Sequence, residues 1–122
     1  MTLALDLDSD VDIAQDWRPA CRLDELPAGR GVCALFGGQQ VAIFLLWDGT
    51  VRAVGNYDPY GRAYVISRGI VGSRGDTPTV ASPLYKNIFD LTTGRPVDDP
   101  DGLALPTYAT RVTDGTLEVR LR

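Results

Sequence analysis

Two segments of this chain are the most informative about its fold: Ser82-Pro83-Leu84-Tyr85-Lys86-Asn87-Ile88-Phe89-Asp90-Leu91-Thr92-Thr93-Gly94 and the earlier Asn56-Tyr57-Asp58-Pro59. A spacer of 23 residues separates Asp58 from Ser82. The earlier segment follows a strand-like run that ends at Gly55, and Ser82 closes the run Thr79–Ser82. We therefore interpret the two segments as loops that follow two β-strands of one domain.

Four positions in these loops resemble a Rieske iron-sulfur site whose ligands have been replaced. A Rieske domain holds its two-iron cluster through C-x-H on one loop and C-x-x-H on the next. The corresponding frames are Asn56-x-Asp58 and Ser82-x-x-Tyr85, followed by the aromatic, Asp-Leu, turn and Gly of the family in Phe89–Gly94. An amide, a carboxylate, a hydroxyl and a phenol cannot replace two thiolates and two imidazoles around iron and sulfide. The resemblance implies a Rieske-like fold in which these four are degenerate ligand positions without a cluster.

The departures from the Rieske pattern are similar to those of one family, the small subunit of bacterial NAD(P)H-dependent assimilatory nitrite reductase. The resemblance covers Trp17 to Leu121 and rests on Gly55-Asn56-Tyr57-Asp58-Pro59, Ser67-Arg68-Gly69, Val80-Ala81-Ser82-Pro83-Leu84, Tyr108 and Arg111-Val112. It implies an oxidoreductase complex of nitrate and nitrite assimilation, in which a large subunit carrying FAD, siroheme and a 4Fe-4S cluster reduces nitrite to ammonium. It also implies that this chain carries no cofactor and is inactive in isolation.

The composition excludes several kinds of site. The chain has no histidine, which removes the usual catalytic triads and most zinc and haem sites. Its two cysteines, Cys21 and Cys33, lie in apolar strand-like runs, so we expect buried free thiols; a bridge between them or a reactive thiol is the alternative. No apolar run approaches the roughly 18 residues of a membrane span, and no secretory signal begins the chain. We therefore expect a cytoplasmic protein without membrane contact.

Acidic residues are concentrated at the N-terminus. Residues 1–16 hold five aspartates and no base, which leaves 11 acidic against 12 basic residues in the rest of the chain. A nearly neutral domain lacks the basic surface that nucleic acid requires, so we expect no nucleic-acid partner. We expect residues 1–16 to be a flexible acidic tail, with an edge strand at the Leu3–Asp8 alternation as the alternative.

The remainder of the chain predicts an all-β domain over residues 17–122. Short apolar runs alternate with Gly37-Gly38, Asp48-Gly49 and Asp114-Gly115, which are hairpin signals. We expect an antiparallel β-sandwich or barrel of about eight to ten strands, without helices and with an inserted two-loop subdomain at about 56–94. The predicted strands are Trp17–Arg22, Gly31–Phe36, Val41–Trp47, Val51–Gly55, Thr79–Ser82, Asn87–Leu91, Thr107–Val112 and Thr116–Leu121. Val41–Trp47, apolar throughout, is predicted to be a central strand buried on both faces.

The predicted functional residues lie on the two loops. Asp58 and Asp90 are expected to accept backbone N-H groups in turns, because Asp in such positions more often shapes a loop than catalyses a reaction. Arg74, which also flanks the loops, could recognise an anion or remain solvated. The aromatic and apolar loop residues could either fill the space of the lost cluster or dock the large subunit, with cations at the border. The predicted partner-binding set is Tyr57, Tyr60, Arg62, Arg68, Leu84, Tyr85 and Lys86.

The sequence leaves two alternatives to the function of a nitrite reductase small subunit. A Rieske-type ferredoxin would carry electrons, but it needs the ligands that the four positions lack. A free-standing Rieske-fold interaction module would need no cofactor, and a compact barrel with surface aromatics could bind single-stranded nucleic acid. The nearly neutral domain argues against nucleic acid.

Overall fold

The computed structural model describes residues 16–85 and 87–121, which form twelve strands and two single 3-10 turns, Leu23–Glu25 and Ile66–Arg68. Neither turn has the length or the apolar character to cross a bilayer. The predicted tail, apart from Asp16, lies outside the described residues. The strands are β1 (Trp17–Arg22), β2 (Gly31–Phe36), β3 (Gln39–Leu45), β4 (Val51–Gly55), β5 (Tyr57–Asp58), β6 (Ala63–Tyr64), β7 (Ile70–Arg74), β8 (Thr77–Ala81), β9 (Ile88–Asp90), β10 (Thr107–Tyr108), β11 (Thr110–Thr113) and β12 (Thr116–Arg120).

These strands pair antiparallel in four sheets, which confirms the predicted all-β class. The sheets have the orders β10-β4-β3-β2, β1-β12-β11, β7-β8-β9 and β5-β6. Asp114 and Gly115 both have positive φ, 51° and 82°, at the turn between β11 and β12. Such a turn has the twist that joins adjacent strands, which is why an Asp-Gly pair predicted this hairpin.

The strand β3 lies at the centre of the molecule and is buried on both faces, as predicted for Val41–Phe44. Since side chains alternate along a strand, Val41 and Ile43 face one core and Ala42 and Phe44 face another. The first core also contains Leu26, Ala53, Leu117 and Val119. The second core also contains Leu46, Val54, Ile66, Val80, Phe89, Leu91 and Leu105. The second core lies beneath the two-loop subdomain, so it supports the predicted site.

The prediction that Trp47 is buried at the end of this strand is wrong. The strand ends at Leu45, and a turn follows in which the Leu46 amide donates to the Thr50 carbonyl at 2.8 Å. The Trp47 side chain leaves the sheet at this turn and is 80% exposed. Its ring lies against Gly29, where a Cβ would come within 2.3 Å of it.

The subdomain contains short strands that were not predicted. β5 and β6 have two residues each, and β7 pairs with β8 from Ile70 to Arg74. The predicted strand Thr107–Val112 is divided at Ala109, because Thr107 and Tyr108 pair with β4 whereas Thr110–Thr113 pairs with β12. This division joins the two larger sheets through one stretch of chain.

Candidate functional site

The two loops of the subdomain, at residues 56–62 and 82–85, contact each other, and we call this region the tip. Asp58 lies at its centre, and its side chain is fully buried. Its Oδ1 accepts the backbone N-H groups of Tyr60 and Gly61 at 2.8 and 3.0 Å. This is the predicted Asx-type turn. Its backbone carbonyl also accepts the amide of Arg62 at 2.6 Å. The carboxylate therefore holds the first loop in shape.

Ser82 connects the second loop to the same carboxylate. Its Oγ donates to Asp58 Oδ2 at 2.5 Å and accepts the Leu84 amide at 3.1 Å. The loops also touch at Gly61, where a Cβ would lie 2.9 Å from the Cβ of Leu84. Asp58 and Ser82, two of the four degenerate ligand positions, are thus hydrogen-bonded to each other. Ser82 is also buried, with 1% of its surface exposed.

Asn56, the third position, holds the base of the tip. Its Oδ1 accepts the Ser67 amide at 2.7 Å, and its Nδ2 donates to Gln40 Oε1 at 2.9 Å. These bonds tie the end of β4 to β3 and to the 3-10 turn before β7. Asn56 is 2% exposed, so its amide is used within the fold.

Tyr85, the fourth position, points away from the other three. Its backbone has φ 59° and its side chain is 80% exposed. Three buried polar groups already bonded within the fold, plus one outward phenol, do not form a ligand set for an iron-sulfur cluster. Among the residues described, moreover, no three His, Cys, Asp or Glu side chains converge in a way that could bind a metal ion.

An exposed aromatic surface lies on the outer side of the tip. The rings of Tyr57 and Tyr64 are 5.0 Å apart with an interplanar angle of 59°, and they are 39% and 57% exposed. Beside them is a cleft of about 290 Å³ that Pro59 and Pro106 help to line. Tyr64 was missed from the sequence because a two-residue strand gives no periodic signal; its pairing with Tyr57 across β5 and β6 explains its position.

Two of the predicted partner-binding residues are partly used inside the fold. The Tyr60 hydroxyl accepts the Leu103 amide at 2.8 Å, and its ring lies 6.1 Å from that of Phe89. Leu84 is half-buried against Gly61. Tyr60 and Leu84 therefore help to fill the tip, whereas Tyr57 and Tyr85 are presented to solvent.

The cations predicted around the loops have different surroundings. Arg62 is exposed at the tip, with φ 60°. Arg74 forms an ion pair with Asp98 at 3.3 Å, and Arg68 lies with Arg30 along a separate groove. Lys86 lies outside the described residues.

Asp90 shapes the turn that ends the second loop. Its Oδ1 accepts the amides of Thr92 and Thr93 at 2.7 and 3.3 Å, as predicted. Gly94, with φ 80°, then passes so close to the chain that a Cβ would lie 2.0 Å from the Leu105 carbonyl oxygen. The Asp-Leu-turn-Gly string thus forms both the turn and the close approach to Leu105.

The thiols are free, as predicted, but the prediction of burial is wrong for Cys33, which is exposed, and only partly right for Cys21, which is half-buried. Burial and the negative charge of Glu25 raise the pKa of the Cys21 thiol above its ordinary value of 9.0. Partial burial of the sulfur also raises the pKa of Cys33, whose Sγ accepts from Asn56 Nδ2 at 3.6 Å. Both groups are therefore weak nucleophiles at neutral pH.

Comparison with known proteins places this geometry in a family. The sequence model of the Rieske-like [2Fe-2S] domain matches residues 16–120. The nitrite reductase (NADH) small subunit of Salmonella typhimurium is 40% identical over 105 residues, which cover 85% of this chain and 96% of that protein. A Mycobacterium tuberculosis chain described as an NADH-dependent nitrite reductase small subunit has a crystal structure with a TM-score of 0.80 and 50% identity, covering 84% of this chain and 92% of that one.

A third relative is a longer protein. The nitrite reductase [NAD(P)H] large subunit of Klebsiella oxytoca is 36% identical over 106 residues, which cover 87% of this chain but only 11% of that protein. A domain similar to this chain thus also occurs within a large subunit. From the match over residues 16–120 and the shared identity with full-length small subunits, the chain belongs to the nitrite reductase small-subunit family of Rieske-like domains.

Proposed function

We propose that this chain is a non-redox accessory small subunit of an NAD(P)H-dependent nitrite reductase, which reduces nitrite to ammonium in nitrate and nitrite assimilation. The observation that carries the proposal is the bond between Asp58 and Ser82, which occupies the centre of the tip where a Rieske domain would hold iron. The names of the relatives support a nitrite reductase that uses NADH or NAD(P)H, and ammonium as the product is what the family resemblance implies. Residues 17–122 then act as one Rieske-like domain, preceded by the acidic tail.

The partner in this proposal is the large subunit. The domain within the Klebsiella large subunit supports it, since a fused domain stays beside the rest of its own chain. FAD, siroheme and the 4Fe-4S cluster would be bound by the large subunit, and none by this chain. The isolated chain would then have no nitrite reductase activity, and the complex would be cytoplasmic.

The exposed aromatic surface of the tip is the proposed contact with the large subunit. Tyr57, Tyr64 and Tyr85 present large apolar areas with hydroxyl groups at their ends, a combination enriched at the centres of protein interfaces. Arg62 lies at the border of this surface, where cations are typical. Tyr60 and Leu84 support the surface from beneath.

The test is to measure the affinity of the purified large subunit for variants of the full chain. Tyr57→Ala combined with Tyr85→Ala should weaken binding by about 2 kcal/mol or more, roughly 30-fold, because such anchors dominate interfaces. Val112→Ala is the matched control, since Val112 is 47% exposed and does not line the tip cleft. Unchanged affinity for the double variant would contradict the docking surface, and no binding of the parent chain would contradict the accessory role.

A further inference from the structure

A second surface lies on a groove that is separate from the tip. We define the arginine groove as the depression of about 470 Å³ lined by Gly29, Arg30, Gly31, Ser67, Arg68, Gly69, Ile70 and Val71. Trp47 lies against Gly29 and is 80% exposed, and Ile70 is 76% exposed. The groove therefore combines two cations with the apolar side chain of Ile70, and the Trp47 ring lies beside it against Gly29.

The two guanidinium groups of the groove lack anionic partners. Neither Arg30 nor Arg68 forms an ion pair or side-chain hydrogen bond with any residue in 16–85 or 87–121. Arg18 and Arg74, by contrast, pair with Asp16 at 3.0 Å and Asp98 at 3.3 Å. No carboxylate is among the residues that line the groove. The groove is thus suited to a ligand that brings its own carboxylates.

This same chain contains a sequence with the complementary chemistry. Residues 1–15 hold four aspartates and no Lys or Arg, and the aspartates occupy alternate positions, Asp6, Asp8, Asp10 and Asp12. The positions between and beside them are mostly apolar: Leu3, Leu5, Leu7, Val11 and Ile13. An extended peptide with this period presents carboxylates on one side and apolar side chains on the other. The carboxylates would contact Arg30 and Arg68. The apolar side chains would contact Trp47 and Ile70.

Residues 1–15 are long enough to reach the arginine groove from their attachment to the folded domain. Fifteen extended residues reach up to about 50 Å, whereas a domain of this size has a radius of gyration of about 14 Å. The segment is joined to the folded part at Asp16, whose carbonyl accepts the Leu121 amide. A tethered peptide is present at an effective concentration on the order of 1 mM, so a weak site is enough to hold it. Residues 1–15 also lie outside the part of the chain that matches the Rieske-like family.

We propose that residues 1–15 bind in the arginine groove of their own chain, with their aspartates on Arg30 and Arg68 and their apolar side chains on Trp47 and Ile70. The tail would then cover an exposed tryptophan and would compete with any acidic partner for the groove. This inference does not depend on the association with a large subunit.

The test uses nuclear magnetic resonance of the full-length chain, with the Trp47 indole N-H and the Ile70 amide as reporters. The tail variant replaces Asp6, Asp8, Asp10 and Asp12 by Asn, and the groove variant is Arg30→Gln with Arg68→Gln. Raising NaCl from about 0.1 M to about 1 M shortens the Debye length from about 10 to 3 Å and should release the tail. In the parent chain both reporters should shift with salt. In the tail and groove variants the shift should fall by at least half.

Matched controls separate this result from a general charge effect. Asp76→Asn with Asp101→Asn removes exposed carboxylates elsewhere, and Arg62→Gln removes an exposed cation at the tip; both should behave like the parent chain. The amide of Leu117, a residue fully buried in the first core, is an internal reference. An unchanged Phe44 amide resonance would show that each variant is folded.

Three results would overturn the proposal. The reporters could have the same shifts in the parent chain and the tail variant at about 0.1 M NaCl, which would mean that the tail is elsewhere. The salt response could persist in the tail variant and vanish only in the groove variant, which would mean that the groove binds a small anion instead. The reporters could respond only when the purified large subunit is added, which would assign the groove to that partner.

Discussion

Among single residues, Asp58 and Ser82 stabilise the tip, and the hydrogen bond between their side chains predicts a measurable coupling free energy. Asp58→Ala would leave the amides of Tyr60 and Gly61 without an acceptor, so it should lower the free energy of unfolding by about 3 kcal/mol or more. Ser82→Ala should cost about 1–3 kcal/mol. Chemical denaturation of both single variants and of the double variant measures the coupling, which should be about 1 kcal/mol or more; additive losses would contradict a direct bond.

The cysteines give a second prediction at this scale. Because burial raises the pKa of both thiols above 9.0, fewer than about one in thirty should be ionised at pH 7.5. Reaction with Ellman's reagent should therefore be slow at pH 7.5 and should accelerate roughly tenfold per pH unit up to pH 9. Cys33 should react before Cys21, since it is the exposed one, and Cys33→Ser should remove the faster phase. A fast reaction at neutral pH would contradict these pKa directions.

The sequence was informative about these residues where the bonding is local. The turns at Asp58 and Asp90 were predictable, because an Asp accepts the amides two and three residues later in a known motif. The partner of Asp58 across the tip was not, since Ser82 is 24 positions away and no local rule joins them. The burial of Asn56 was unpredictable for the same reason, because its partners Gln40 and Ser67 come from two other elements.

Among the elements of the fold, the strand β3 and the turn that follows it contain two aromatic residues whose replacement should have opposite effects on stability. Phe44, fully buried in the core beneath the subdomain, should cost about 3–5 kcal/mol when replaced by Ala. Trp47→Ala should change the free energy of unfolding by less than about 1 kcal/mol, because the side chain is 80% exposed. Urea denaturation of both variants checks this. A loss above 3 kcal/mol for Trp47→Ala would mean that its contact with Gly29 is part of the core.

The strands that could be predicted are those with a repeating pattern. The boundaries of Trp17–Arg22, Gly31–Phe36 and Val51–Gly55 are correct, and glycines at or beside both ends mark the second and third of these strands. Val41–Trp47 was placed two residues late, since an apolar run shows no boundary where the chain turns at Leu46. The pairing of Tyr57 with Tyr64 could not be predicted, because two residues are too few to show a period.

At the scale of the whole molecule, the donor set predicts a protein without iron. The chain expressed with ample iron and sulfide should be colourless, and an iron chelator should leave its melting temperature unchanged. The reason is that the side chains of Asn56, Asp58 and Ser82 are hydrogen-bonded to other groups of the protein. Visible absorption, iron analysis and calorimetry with and without chelator are the measurements. Stoichiometric iron and sulfide would contradict the accessory role and favour an electron carrier.

The bond between Asp58 and Ser82 also has a consequence for how the protein matures in the cell. A domain whose tip is held together by a metal cluster completes its folding only after the cluster is inserted, so the amount of folded protein depends on the supply of iron. A tip closed by a carboxylate and a hydroxyl needs only that two points 24 residues apart in the chain meet, a loop-closure step that is fast on the scale of protein synthesis. When iron is scarce, newly made chains should therefore still reach their final shape, and the shortage would limit the proposed complex through the large subunit that we propose to bind the metal cofactors.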